Sequence, residues 1–345
     1  MERLAEKRAV RVTNCSGYHG DPASEMYTKQ HLEMWILSPA TTWLVNMAQN
    51  AQAYRSKLHP GFEETAWEGL KQSINVVAKK RIRVVINGGT LNPQGLAQKV
   101  DALAREKGLQ IHVAYLSGDD VYSKVGPIMP ATTTQLPHLD TDKSSPMTYA
   151  FLHEDANDPV PMVSAHAYLG ARGIVDGLRR GADIIICGRV ADASPPEPSL
   201  QDISLNAQPW SFQGFRIAET ADDGSCAITK HPNTQGMVTI DTVRCQFLYE
   251  LQGNVYLNSD VAARLHGIRV NSVGLDRVHV SGITGSAPPP TTKLAIFYPG
   301  GYQAEILLNA SGYSVPQKWD LFEQQAGALI LEGVVKKLQN LEFQR

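Results

Sequence analysis

Ala182-Asp-Ile-Ile-Ile-Cys187, followed directly by Gly188-Arg189, is the stretch of sequence that decides the fold. Its near-continuous apolar run predicts a strand that is buried on both faces, as in a parallel sheet covered by helices. A helical pattern from Ala167 to Arg180 precedes this strand. Strand and helix therefore alternate along this part of the chain.

The same alternation occurs earlier in the chain. The patterns predict helices over residues 63–80 and 93–107, and strands over residues 9–14, 82–86, 110–115 and 160–164. Such an order is typical of an α/β fold with a doubly wound, mostly parallel sheet. Two hairpin patterns, over residues 214–229 and 268–283, indicate a smaller α+β domain after it. We expect an α/β domain over 1–195, a linker over 196–212 and an α+β domain over 213–345.

The overall composition excludes several classes of protein. With 32 basic and 34 acidic residues the net charge is −2, which gives no electrostatic reason to expect nucleic acid or an anionic membrane as a partner. The four cysteines lack CxxC spacing, and no metal site is expected. No secretory signal and no apolar run of about 18 residues is found. We expect a cytoplasmic protein that acts on a small molecule without a cofactor.

Polar and glycine residues follow each predicted strand. In open α/β sheets the carboxyl ends of the parallel strands meet at one edge, where ligands bind. We expect the turns after the strands to gather there, and we take from them as candidate substrate-binding residues Asn14, Ser16, Gly17, Asn87, Gly88, Gly89, Asn92 and Gly118.

The turn from Asn87 to Pro93 lies between a predicted strand and a predicted helix. Backbone amides at such a helix N-terminus suit an anionic ligand. The alternative is a tight turn in which Asn92 caps the helix. After the predicted strand over 182–187, Arg189 can pair with a carboxylate or phosphate, or with Asp192 as an internal salt bridge.

Four further residues are candidates for proton transfer. Asp119 and Asp120 are adjacent at a strand end, where one can act as general base or acid or simply cap a turn. His231 can donate a proton, since histidine titrates near neutral pH, but a lone histidine is more often structural. His166, just past a predicted strand, has the same modest claim. A serine hydrolase is not expected because there is no GxSxG elbow.

Taken in order, these and other stretches resemble the acyclic terpene utilisation family. The matching stretches are Val12–Gly17 with Gly20-Asp21, Ile86–Gly89 through Asn92-Pro93, Ala167–Ala171, Gly181–Ser194, Val238–Thr242, Gln252-Gly253 with Tyr256–Asn258, and Pro288–Lys293. The resemblance adds Tyr168, Ser194 and Lys293 as substrate-binding candidates, and the catalytic candidates are Asp119, Asp120, Arg189, Asp192 and His231.

The resemblance implies a role in metabolism of branched isoprenoid acids, handled as coenzyme A thioesters. The expected activity is hydration, dehydration or lyase cleavage, in a fungal terpenoid-degradation or secondary-metabolite gene cluster. Its implied partners are companion acyl-CoA enzymes or a second copy of the chain. Two alternatives stay open: a non-catalytic subunit that binds an acyl ligand, and a degenerate inactive copy.

The chain departs from the family pattern in several places. Residues 33–44 read EMWILSPATTWL where the family has an acidic, glycine-bearing loop, as a local frame shift would produce. A family segment is missing after Ser194, and family members continue beyond Arg345. His166 stands where Asn is expected, and Gln235 where Gly is expected. We expect these changes to lower stability and to expose Trp35 and Trp43 in a former loop.

Overall fold

The structure is a computed structural model, which describes residues 9–16, 23–24, 26–27, 36–39, 43–125, 161–191, 216–232, 234, 236–250, 253–299 and 312–321. Its strands are β1 (Val10–Ser16), β2 (Ile36–Pro39), β3 (Arg83–Ile86), β4 (Val113–Leu116), β5 (Ser164–Ala167), β6 (Ile184–Cys187), β7 (Arg216–Thr220), β8 (Cys226–Lys230), β9 (Val255–Leu257), β10 (Ala262–Arg264), β11 (Arg269–Gly274), β12 (Arg277–Ser281), β13 (Thr284–Ser286) and β14 (Leu294–Phe297). Its helices are α1 (Trp43–Arg55), α2 (Glu64–Lys80), α3 (Pro93–Glu106), α4 (Tyr122–Val125), α5 (Arg172–Arg179) and α6 (Ile240–Glu250).

The largest sheet has nine strands in the order β11-β12-β8-β7-β1-β2-β3-β6-β4. The five strands from β1 to β4 in this order are parallel, and the other four are added antiparallel. The predicted α/β class is therefore confirmed as a mixed α/β fold. The predicted mostly parallel sheet is not confirmed, because seven of the eleven strand pairs among the described residues are antiparallel.

Strands β3 and β6 have core on both faces. Val84 and Ile86 of β3 belong to a cluster that includes apolar residues of α2 and α3. Val85, with Ile185 of β6, belongs to a second cluster that includes Ile174 of α5. Because successive side chains of a strand point to opposite faces, covering both faces requires the continuous apolar runs seen in these strands.

The strand β2 corrects one expectation from the sequence. Residues 33–44 stand where the family has a loop, and a loop is therefore expected there. Instead, Ile36–Pro39 forms a parallel strand between β1 and β3. Helix α1 begins at Trp43. Trp35 lies outside the described residues.

The strand β5 corrects a second expectation. The sequence predicts a strand over 160–164 in the parallel sheet, but β5 begins at Ser164 and pairs antiparallel with β14 in a separate two-stranded sheet. Helix α5 begins only at Arg172. This leaves residues 168–171 to link β5 to α5, and a third sheet is formed by β13, β10 and β9.

The nine-stranded sheet includes strands from both sides of the predicted linker. β7 pairs with β1, and β8 pairs with β7. Residues 196–212 lie outside the described residues, so the domain division stays a prediction. Residues 1–299 and 300–345 form separate compact units, and in the second unit residues 315–321 are helical.

Candidate active site

A buried carboxylate lies beyond the carboxyl ends of β4 and β6. Asp119 Oδ2 accepts a hydrogen bond of 2.7 Å from the backbone N–H of Arg189. The same oxygen lies 3.0 Å from Nδ1 of His166. The side chains of Asp119 and His166 are only 4% and 1% exposed. A polar group at this depth needs hydrogen-bond partners, and these two contacts supply them.

Backbone pairing brings His166 to Asp119. The N–H of Ala167 donates to the carbonyl of Asp119 at 2.8 Å, and the N–H of Val121 donates to the carbonyl of Ala165 at 3.0 Å. Residues 119–121 therefore run beside β5. Gly188 leaves room for the Asp119 side chain, because a Cβ at this position would overlap Oδ1 of Asp119.

The contact with Asp119 assigns the tautomer of His166. A carboxylate accepts but does not donate, so Nδ1 carries a hydrogen, and in the neutral ring Nε2 then has the lone pair. Within the described ranges, Nε2 is buried and has no hydrogen-bond partner. An imidazole that is oriented by a carboxylate through one nitrogen can accept a proton at the other, as a general base does.

Two cations lie against Tyr168, next to this pair. The guanidinium carbon of Arg189 is 4.1 Å from the centre of the Tyr168 ring, and Nζ of Lys293 is 4.6 Å from it. The N–H of Tyr168 donates to the carbonyl of Lys293 at 3.0 Å, where β5 and β14 begin to pair. Arg189 is buried, whereas Lys293 is exposed. Cations held in this way suit a carboxylate, a phosphate or a developing oxyanion.

Cys187, two residues before Arg189, is the thiol nearest to this site in the sequence. It is not suited to act as a nucleophile. It is fully buried. Burial, and then the charge of Asp119, raise the pKa of Cys187 well above its usual range. The nucleophilic thiolate is therefore suppressed at neutral pH.

The turn after β3 favours the tight-turn interpretation over an anion cradle. The four backbone N–H groups from Gly89 to Asn92 all donate to carbonyls within the chain, so they are already engaged. Asn92 Oδ1 accepts from the N–H of Gly95 at 2.9 Å and caps α3. Asn87 differs, because its buried Oδ1 has no partner among the described residues. Its side chain lies two strands from Asp119 in the sheet order.

Asp120 and Gly118 flank Asp119 but are exposed. Oδ1 of Asp120 accepts from the N–H of Tyr122 at 2.9 Å and so starts the short helix α4, which matches the capped-turn alternative. Gly118 has φ of +111°, a conformation that strongly favours glycine.

The other candidate residues lie further along the same edge or outside the description. His231 follows β8, which is five strands from β6, or about 24 Å at the usual strand spacing. Asn14 and Ser16 are in β1, three strands from β6. Gly17, Asp192 and Ser194 lie outside the described residues. The structure thus brings together Asp119, Tyr168, Arg189 and Lys293, and it adds His166.

Sequence patterns alone do not single out His166, because its contact with Asp119 depends on β5 lying outside the main sheet. The alternation of Val163, Ser164, Ala165 and His166 offered one signal, since it places two polar side chains on one strand face. Across the described part of the chain, no group of three or more His, Cys, Asp or Glu residues is arranged to hold a metal ion. No described helix combines the length and the apolar character that a membrane span needs.

The fold and this site define a mixed α/β protein with a histidine–carboxylate pair at the carboxyl edge of its parallel strands. The sequence model of the acyclic terpene utilisation family protein AtuA matches residues 10–196 and 199–345. The chain therefore belongs to this family, as its motifs indicated. The two matched segments meet at the start of the predicted linker. No curated protein and no solved structure matches the chain.

Proposed function

We propose that the chain is an enzyme that moves a proton during hydration, dehydration or lyase cleavage of a branched acid or its coenzyme A thioester. One observation carries the proposal: the buried His166 is oriented by Asp119 at 3.0 Å and keeps Nε2 without a partner among the described residues. Membership of the acyclic terpene utilisation family supports a branched isoprenoid substrate.

In the hydration direction, Nε2 of His166 accepts a proton from water while the water oxygen bonds to the β-carbon of an unsaturated thioester. The electron pair of the C=C bond moves onto the thioester oxygen and gives an enolate. His166 then returns the proton to the α-carbon, so the product contains one added water and the enzyme is restored. Dehydration is the reverse of these steps.

Lyase cleavage uses the same base and the same enolate. His166 takes the proton of a β-hydroxyl, the bond between the α-carbon and the β-carbon breaks, and its electron pair forms the enolate. The other product is a carbonyl compound, and His166 then returns the proton to the α-carbon of the enolate, so the enzyme is restored. His166 is the catalytic residue in each case, and Asp119 is a positioning residue that fixes its tautomer.

The cations supply the complementary charge. An enolate oxygen carries negative charge that develops during the reaction, and fixed cations stabilise it more than they stabilise the neutral thioester. Arg189 and Lys293, both within 4.6 Å of the Tyr168 ring centre, are suited to this role.

The test uses 3-methylbut-2-enoyl-CoA as substrate and follows the absorbance of its conjugated thioester. We expect turnover by the full chain and a loss of about 100-fold or more in His166→Gln, as for removal of a general base. The control is His112→Gln, a histidine that also contacts an aspartate, Asp183, but is 84% exposed. Unchanged turnover in His166→Gln would contradict the proposal.

Two other outcomes support the alternatives. Saturable thioester binding by the unmodified chain, with no turnover, supports a non-catalytic ligand-binding subunit. A folded chain with neither binding nor turnover supports an inactive family copy.

A further inference from the structure

Ser164 lies two residues before His166 in β5, and its hydroxyl also lacks a hydrogen-bond partner among the described residues. The two residues are 2% and 1% exposed. Side chains at positions i and i+2 of a strand project to the same face. Two buried polar atoms that have no partner in the described part of the chain therefore lie on one face of β5.

Such a pair of atoms points to a third group. Nearly all buried polar groups in folded proteins have a hydrogen-bond partner, in the protein or in a bound molecule. The Cα atoms of residues i and i+2 of a strand are about 7 Å apart. Two side chains at that spacing can both reach one oxygen atom placed between them.

We propose that Ser164 and His166 hold one oxygen atom between them, and that Ser164 thereby selects the oxygen-bearing reactant. The Ser164 hydroxyl donates to a lone pair of this oxygen, while the oxygen donates its own proton to Nε2 of His166. The oxygen belongs to water in the hydration direction and to the β-hydroxyl in the reverse direction. This inference rests on the proposed function for the identity of the reaction.

The opposite strand fits a carbon substituent at this oxygen. In the β5–β14 register, Phe297 stands opposite Ser164 and Ala295 opposite His166. Directly opposed side chains lie on the same face of an antiparallel pair. The polar pair is thus flanked by apolar side chains, which suit alkyl groups on the carbon that bears the oxygen.

Binding of two probes tests the selection. We expect the full chain to bind 3-hydroxy-3-methylbutanoyl-CoA roughly tenfold more tightly than 3-methylbutanoyl-CoA, as one or two added hydrogen bonds allow. Ser164→Ala should reduce this preference to less than about twofold and leave the affinity for the deoxy thioester unchanged. Ser164→Thr, which keeps a hydroxyl, should restore the preference.

A stability measurement gives a readout that needs no ligand. Ser73 in α2 is a matched control, because its hydroxyl is also buried and lacks a partner among the described residues, but its helix neighbours Leu70 and Ile74 belong to an apolar cluster. Ser73→Ala should raise Tm, since an unsatisfied hydroxyl is removed. Ser164→Ala should leave Tm unchanged or lower it, because its hydroxyl holds a water in the ligand-free protein.

The outcomes separate this inference from the proposed function. A preference for the hydroxylated thioester that survives Ser164→Ala overturns the inference, even if His166-dependent turnover is observed. A preference that is lost in Ser164→Ala and restored in Ser164→Thr supports it, even if turnover is absent and the proposed function fails. Equal increases in Tm for Ser73→Ala and Ser164→Ala also overturn it.

Discussion

A cluster of an aspartate, a histidine and an arginine lies at each end of strands β3, β6 and β4. One cluster is partly exposed, and the other is buried. At the amino ends, Asp183 Oδ2 accepts from the N–H of His112 at 2.9 Å and lies 3.5 Å from its Nδ1, while Oδ1 pairs with Arg83. At the carboxyl ends, Asp119 likewise accepts from a backbone N–H and contacts a histidine Nδ1.

Burial is what distinguishes the two clusters. His112 is 84% exposed, whereas His166 is 1% exposed. Water screens charges at the surface, so an exposed ion pair contributes little to stability. In the interior the same contacts are stronger, and breaking them leaves a costly unpaired group. The amino-end cluster is therefore expected to add little to stability, whereas the carboxyl-end cluster holds the His166 ring in one orientation.

The largest expected difference in stability is between two variants, each of which lacks the aspartate of one cluster. Asp119→Ala leaves the His166 ring and the Arg189 N–H without their buried acceptor, so we expect a loss of about 3 kcal/mol in the free energy of unfolding. Asp183→Ala should cost about 1 kcal/mol, because water can replace the carboxylate. Urea unfolding of both variants measures the difference, and equal losses would contradict the role assigned to burial.

Gly188 tests how tightly the buried cluster is packed. A Cβ at this position would overlap Oδ1 of Asp119, so Gly188→Ala should cost about 2 kcal/mol, as overpacking does. The control is Gly274→Ala, where a Cβ would lie 3.7 Å from the Arg277 side chain, an ordinary contact. Thermal unfolding compares the two variants. If Gly188→Ala left the stability unchanged, the buried cluster would not be tightly packed.

Asp276 extends the comparison to a carboxylate at a hairpin turn. Oδ1 accepts from the N–H of Val238 at 2.9 Å, and Oδ2 lies 3.3 Å from Nζ of Lys230. The Val238 hydrogen bond, and then Lys230, hold the pKa of Asp276 below its ordinary value of 3.8. Asp276→Asn keeps an acceptor and tolerates the positive φ, so we expect a loss of about 1 kcal/mol at pH 7.

The sign of the pH dependence follows from the lowered pKa. A depressed carboxyl pKa stabilises the fold fully above the unfolded pKa and loses this effect as the pH falls through the folded pKa. The gap between the unmodified chain and Asp276→Asn should therefore stay constant from pH 7 to about 4 and then close. Chemical unfolding at a series of pH values measures this gap, and one that widens in acid would be evidence against the assignment.

The smallest effect is expected for His112→Gln. This side chain is 84% exposed and 3.5 Å from Asp183, so its loss should change the free energy of unfolding by less than about 0.5 kcal/mol. Added salt should not alter the difference measurably. A larger loss would mean that the exposure of a side chain does not predict how much its cluster contributes to the free energy of unfolding.

The parallel strands and their helices could be predicted because each carries a strong local pattern. The apolar run of β6 and the helical spacing of Leu70, Ile74 and Val77 in α2 both reflect burial against a fixed neighbour. Strand ends could also be placed, so Asp119 and Arg189 were found. The short segment of β2 shows no such pattern and was missed.

The partner of β5 could not be predicted for a physical reason. Four residues, Ser164 to Ala167, do not specify which strand they pair with, and β14 is far away in sequence. That pairing depends on long-range packing, which local propensity does not encode. The contact of His166 with Asp119 arises because β5 also runs beside residues 119–121, a pairing that is also distant in sequence, and His166 was therefore underweighted.

The β5–β14 pair also determines when the site can form during synthesis. A ribosome makes the chain from the N-terminus, so Asp119, His166 and Arg189 emerge well before Lys293 and β14. Until then β5 has an open edge, and the second cation is absent. A nascent chain or a product of premature termination before residue 293 would therefore lack both Lys293 and the strand that pairs with β5.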